Sequence, residues 1–160
     1  MKILQLQNWV LNNRKGLRMN FDELKNLISE CDLVDGKIVL KSNLFKTIEL
    51  IKNIYKFDVL KSITAVDNAD GTIELQYRLY SIENEEDVLV SINVFEEADS
   101  IVSLFDSACA DENEIYDLFG VKFLGNKALK RLYLPENWIG HPLKKDYVEN
   151  DERLNWNDKT

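Results

Sequence analysis

Between Asp111 and Tyr147 this 160-residue chain gathers the side chains best suited to chemistry. They are three carboxylates close together (Glu112, Glu114, Asp117), the only histidine (His141), Trp138 and a run of basic residues. On a helix Glu114 and Asp117 are three positions apart on one face, a spacing at which two carboxylates can share acid/base work. Histidine is the side-chain type whose ordinary pKa lies nearest neutrality. With Asp146 five residues on, His141 could serve a small stand-alone enzyme as acid or base. A hydrolase would also need a nucleophile, and no serine or cysteine sits in a strand–turn–helix elbow. No Gly-x-Gly pair occurs, which removes the glycine-rich phosphate loops. Cys31, Cys109 and one histidine offer no close ligand pair, so a metal centre is not expected. The two cysteines fall on apolar positions of expected helices and read as buried thiols, not as a disulfide.

Each of these residues also has a purely architectural use. Acids in a first helical turn complement the helix dipole and cap free N–H groups. Asp117 escapes that account, because it lies near the helix C-terminus, where negative charge is disfavoured. It calls for a cationic partner, with Arg131 or Lys130 as candidates. Trp138, next to Pro135 in a loop, reads as an anchor into this protein's own core or a neighbour.

The elements that must hold these residues are legible from spacing. Asn20 and Glu23 form a capping-box pair ahead of Leu24, Leu27, Ile28 and Cys31, which predicts a helix over 21–29. Asp35-Gly36 turns the chain into a short strand, 37–41. Asn43 opens a second helix, 44–55, with Leu44, Ile48, Ile51 and Tyr55 on one stripe. Residues 57–66 read as a strand buried on both faces. Asp70-Gly71 marks a hairpin, and clean alternation follows over Ile73–Leu79 and Val88–Val94. Ser100 caps a third helix bearing Ile101, Leu104, Phe105 and Ala108. The spacing runs on through Glu112, Ile115 and Phe119, as one long helix would; a break near Ala110 is preferred, giving a helix over 112–119 capped by Asp111 and closed by Gly120 as its C′ residue. For residues 1–10 strand and helix stay open.

After Gly120 the periodicity stops. Residues 120–147 hold both prolines, three of the six glycines, six basic residues and two acidic ones. Val121–Phe123 and Arg131–Leu134 are expected as short extended pieces. The stretch reads as a shaped, irregular limb, and its local charge of +4 in a chain of net −8 leaves −12 for the body. A basic limb on an acidic body suits docking to an acidic partner, and the acidic balance argues against nucleic acid. The fold class expected is α+β: one domain, residues 1–147, with a mainly antiparallel sheet, helices packed on it and the C-terminal limb 120–147. Residues 148–160 read as a polar, frayed tail, pinned at most by Trp156. No apolar run approaches the ~18–20 residues that span a bilayer, and the N-terminus lacks a signal-peptide pattern. A cytoplasmic protein is expected.

Three blocks within Glu114–Tyr147 are specific. They are Glu-x-Tyr-Asp-Leu-Phe-Gly-Val-x-Phe (Glu114 to Phe123), Leu-x-Arg-Leu-x-Leu-Pro-Glu-x-Trp (Leu129 to Trp138) and Gly-His-Pro-Leu-Lys-Lys-Asp-Tyr (Gly140 to Tyr147). In order and spacing they resemble the C-terminal signature of the 30 kDa subunit family of respiratory NADH dehydrogenase, the NADH–quinone oxidoreductase also called complex I. The related subunit of membrane-bound energy-converting hydrogenases carries a version. Ile63–Asp67 and Tyr77–Ser81 extend the likeness to roughly Lys37–Tyr147. Four places depart from the family pattern: Ala110 for a tryptophan, Asn113 for an arginine, Gly125-Asn126-Lys127 for Gly-His-Pro, and Lys144 for an arginine. Together with the short chain they favour a hydrogenase-type or otherwise ancestral-like assembly over a standard complex I.

The resemblance implies a non-catalytic peripheral-arm subunit that itself binds no flavin, cluster or nicotinamide. Iron–sulfur clusters and the quinone or nickel–iron site would belong to partner subunits. The partners implied are a large catalytic subunit (49 kDa-like or hydrogenase large) and a neighbouring iron–sulfur subunit. Membrane contact, at the cytoplasmic face, would be only indirect. On this reading Arg131, Lys144 and Lys145 meet partner carboxylates, and Trp138, His141, Pro142 and Leu143 complete the interface. Glu114, Asp117, Phe119, Gly120, Gly140 and Asp146 form the structural motif.

Overall fold

A computed structural model describes residue 19, residues 21–28 and residues 30–148. The N-terminal stretch, the Asn20 cap and the tail with Trp156 lie outside the described residues. The elements run α1 (Phe21–Leu27), β1 (Cys31–Val34), β2 (Lys37–Leu40), α2 (Leu44–Tyr55), β3 (Val59–Asp67), β4 (Ile73–Ser81), β5 (Glu86–Val94), β6 (Glu97–Asp99), α3 (Ala108–Phe119) and β7 (Lys122–Leu124). Five strands form one sheet in the order β1-β2-β5-β4-β3, and β6 and β7 form a separate parallel pair. Within the large sheet only β2–β5 is parallel. The α+β expectation therefore holds.

The sheet's core is read directly from its register. Ile38, Val90, Tyr77 and Ile63 stand opposite one another across four strands and are all buried. Each such side chain is worth roughly 1.5–3 kcal/mol of burial. The α2 stripe Leu44, Ile48, Ile51 and Tyr55 belongs to the same core.

Three expectations need correction. The first helix stops at Leu27, and Cys31 lies in β1 instead, buried, with its Sγ–H toward the Ile28 carbonyl (3.2 Å). Asp35 and Gly36 both take positive φ, and Val34 pairs with Lys37. They therefore close a two-residue β1–β2 hairpin, whose first strand the helical spacing had concealed. Next, β3 is an edge strand and is not buried on both faces. Leu60, Ile63 and Asp67 are buried, whereas Lys61, Thr64 and Val66 are exposed. A register shift between Leu60 and Ser62 interrupts the alternation, a bulge that mimicked a doubly buried pattern.

The third correction concerns the approach to α3. Residues 101–107 form turns, and α3 runs unbroken from Ala108 through Ala110 to Phe119. Neither presumed cap serves a helix here. Ser100 Oγ and the Ile101 N–H donate to Glu112. Asp111 lies in the first turn of α3, where its Oδ2 accepts the Ile63 N–H of β3 (2.8 Å). Gly120 does close the helix, at φ 81 with its N–H on the Tyr116 carbonyl.

Candidate functional site

Helix α3 positions the signature through three carboxylates that leave it in different directions. Asp111 reaches the edge of β3, as above. Glu112, fully buried, accepts from Ser100 Oγ, Ile101 N–H and Asn126 Nδ2, which joins the end of β6 to the chain leaving β7. Burial pushes the Glu112 carboxyl up, and these donors only partly oppose it. Asp117, also fully buried, organises the limb.

Around Asp117 the limb folds as a tight crown. Its Oδ2 accepts the N–H groups of Leu132 (3.0 Å), Tyr133 (2.7 Å) and Leu134 (2.9 Å). Its Oδ1 pairs with Arg131 Nη1 at 2.7 Å, which selects Arg131 over Lys130 as its cation. Burial alone would push the Asp117 carboxyl up. The N–H groups of Leu134 and Tyr133, the guanidinium and the Leu132 N–H outweigh it and hold it below the usual range. Three amides converging on one oxygen explain why Arg131–Leu134 forms no strand: its donors face inward to a side chain.

Arg131 extends the crown. Its Nη2 donates to the carbonyls of Trp138 (3.0 Å) and Gly140 (3.1 Å). The guanidinium expected to reach a partner is therefore engaged inside the chain, with its side chain only 15% exposed. His141 Nδ1 lies 2.9 Å from the Asp117 carbonyl, and a donated proton there fixes the tautomer. The Leu143 N–H reaches the Leu118 carbonyl, and the Lys145 N–H reaches Asp67 Oδ2 at 2.8 Å. That contact, followed by the Ala69 N–H, holds the Asp67 carboxyl below its ordinary range.

Two glycines are required by close approach. A Cβ on Gly120 would stand 2.6 Å from His141 Cδ2, and one on Gly140 would stand 2.8 Å from the Tyr147 ring. Both have positive φ.

The acid/base pairings are not assembled. Glu114 is exposed and accepts the Tyr133 hydroxyl (3.1 Å), while Asp117 is enclosed. Asp146 lies 3.8 Å from Lys144, and His141 bonds a carbonyl instead of that carboxylate. Phe119 packs on the core, Trp138 and Pro142 are half-buried, and Leu143 and Lys145 are exposed. Sequence reasoning missed Asn126, Asp67 and Ile139. Asn126 stands at a departure from the resembled pattern, and Asp67 closes a resembled block. Only the apolar type of Ile139, set between Trp138 and Gly140, marked it.

Known proteins resemble this chain over most of its length. The family model for the respiratory-chain NADH dehydrogenase 30 kDa subunit matches residues 38–153. The C subunit of NADH-quinone oxidoreductase from Citrifermentans bemidjiense is 31% identical over 144 residues, covering 85% of this chain and 89% of that protein. The fused C/D subunit of NADH-quinone oxidoreductase from Buchnera aphidicola is 34% identical over 113 residues, 68% of this chain but 19% of the fused one. Among solved structures, the membrane-bound sulfane sulfur reductase, an archaeal respiratory membrane complex, contains a chain of the same fold. That likeness has a TM-score of 0.66 at 19% identity and covers 88% of this chain and 89% of that one. With nearly three-quarters of its length inside the family model, the chain belongs to the 30 kDa subunit family of respiratory-chain NADH dehydrogenase.

Proposed function

We propose that this protein is a non-catalytic, peripheral subunit of a membrane-associated redox complex, in which it holds the shape of a larger catalytic neighbour. The observation that carries the reading is the use made of the signature residues. Asp117, Arg131, Gly120, Gly140 and His141 are all engaged with one another or with the limb's backbone and rings. A family signature devoted to shaping a surface fits a docking role.

The names of its relatives favour an NADH–quinone type of assembly over the hydrogenase type expected from the departures. The partner that suits the limb best is the large subunit of the quinone site, and a C/D fusion in a relative supports that pairing. Iron–sulfur clusters and the quinone or nickel–iron site would then lie in partner subunits, with none held here. Among the described residues no helix is long and apolar enough to cross a membrane, so membrane association, at the cytoplasmic face, would run through the complex. The test is purification of the tagged chain from native detergent extracts. Recovery with a larger iron–sulfur protein in fixed ratio supports the reading; recovery of the chain alone sinks it.

A further inference from the structure

Five of the eleven large apolar side chains most exposed among the described residues fall within residues 132–148. Scattered exposed apolar residues are ordinary, but a concentration on one loop is not. Leu132 is 44% exposed, Tyr133 64%, Ile139 86% and Leu143 52%. The hydrogen bonds gather the backbone segments that carry them at the C-terminal end of α3, as one knob. Leu132, Tyr133 and Leu134 hang on Asp117, and Trp138 and Gly140 hang on Arg131. Those two residues are themselves in contact at 2.7 Å. The two loop segments thus bracket a single ion pair, and Leu143 follows on the Leu118 carbonyl at the same helix end. Glu114 steadies the Tyr133 ring through its hydroxyl.

We propose that this knob, centred on Ile139, is the energetic core of the interface and inserts into an apolar socket rimmed by carboxylates on the larger neighbouring subunit. The proposal rests on the docking role above and gives it a chemistry. The limb's expected interface residues then divide by role. Arg131 is a positioning residue, enclosed behind the surface. Lys127, Lys130, Lys144 and Lys145 surround the knob within the limb sequence and supply the charge that selects an acidic rim. A lipid surface fits less well, because Glu114, Glu136 and Asp146 lie among the apolar residues and would meet anionic headgroups. A second copy paired limb to limb also fits less well, since it would set one basic limb against another.

The test places a photocrosslinking amino acid at position 139 of the tagged chain, within the native detergent-solubilised complex. The expected product is one larger subunit, joined through a segment of apolar residues flanked by Asp or Glu. In parallel, Ile139→Asp is expected to lower recovery of that subunit on the order of 30-fold. It should leave the slow hydrogen exchange of the Leu132, Tyr133 and Leu134 amides unchanged, which separates lost contact from lost fold. Crosslinking to lipid, to a second copy or to nothing overturns the proposal, as does wild-type recovery with Ile139→Asp. If the wild-type chain itself brings down no larger subunit, the docking role fails first and the socket with it.

Discussion

Replacing Asp117 by asparagine probes the limb's architecture with minimal change of shape. The carboxylate has four close donors: three backbone N–H groups on Oδ2 and the Arg131 guanidinium on Oδ1. An asparagine keeps one acceptor oxygen and turns the other position into a donor. If the amide oxygen faces the three N–H groups, the NH2 meets Arg131. If it faces Arg131, the NH2 meets the amides of Leu132–Leu134. In either orientation a buried ion pair is broken on one side, which costs about 3–5 kcal/mol. The loss falls on the limb, because the five-stranded sheet takes no support from Asp117. Hydrogen exchange in the isolated chain is the direct assay. The Leu132, Tyr133 and Leu134 amides should exchange about a hundred- to several-thousand-fold faster in Asp117→Asn, while the Tyr77 and Val90 amides of the sheet stay slow. Acid gives a second check. The folded pKa of Asp117 is depressed, so its contribution is present above the ordinary aspartate value of about 3.9 and is lost as pH falls through the lower folded one. The difference between wild type and variant should close below about pH 4. Unchanged exchange of the three amides would refute the idea that this carboxylate organises the limb.

Other perturbations have equally definite signs. Gly120→Ala should cost about 1–3 kcal/mol for its positive φ, with an added penalty from the His141 ring. Urea unfolding should show that added part recovered in the His141→Ala background. Arg131→Lys leaves one ammonium where a fork bridged Asp117 and two carbonyls, and should lose about 1–3 kcal/mol in the same assay. Glu112 has a raised folded pKa, so its contribution is complete below the ordinary glutamate value of about 4.3 and is lost as pH rises through the folded one. Urea midpoints at pH 5 and 7 should therefore show wild type gaining on Glu112→Gln as the pH is lowered.

Much of this molecule could be read from spacing alone. The alternation of β4 and β5, the α2 stripe and Gly120 as a helix stop are local patterns, and local physics decided them. The misreadings share a cause, which is that distant partners override local preference. Ser100 and Asp111 look like caps but bond across to α3 and β3 respectively. Arg131 reads as a cation for Asp117, but nothing nearby in sequence shows that two loop carbonyls will also fold onto it. The Asp117–Arg131 pair was legible because a carboxylate at a helix C-terminus needs compensation. The apolar knob was not, because exposure depends on how the loop closes, and loop closure leaves no period in the sequence.

The contact between the Lys145 N–H and Asp67 brings residues 78 positions apart together, and it ties the end of the limb to the corner where β3 turns into β4. The limb is thereby a closed handle, fastened at α3 and again at the sheet. For any segment joined beyond the limb, this corner is where the chain leaves the fold's last described tie. A tether of n residues reaches at most about 3.5n Å from it. A short tether keeps its cargo near that corner, so covalent linkage raises the cargo's local concentration beside the handle.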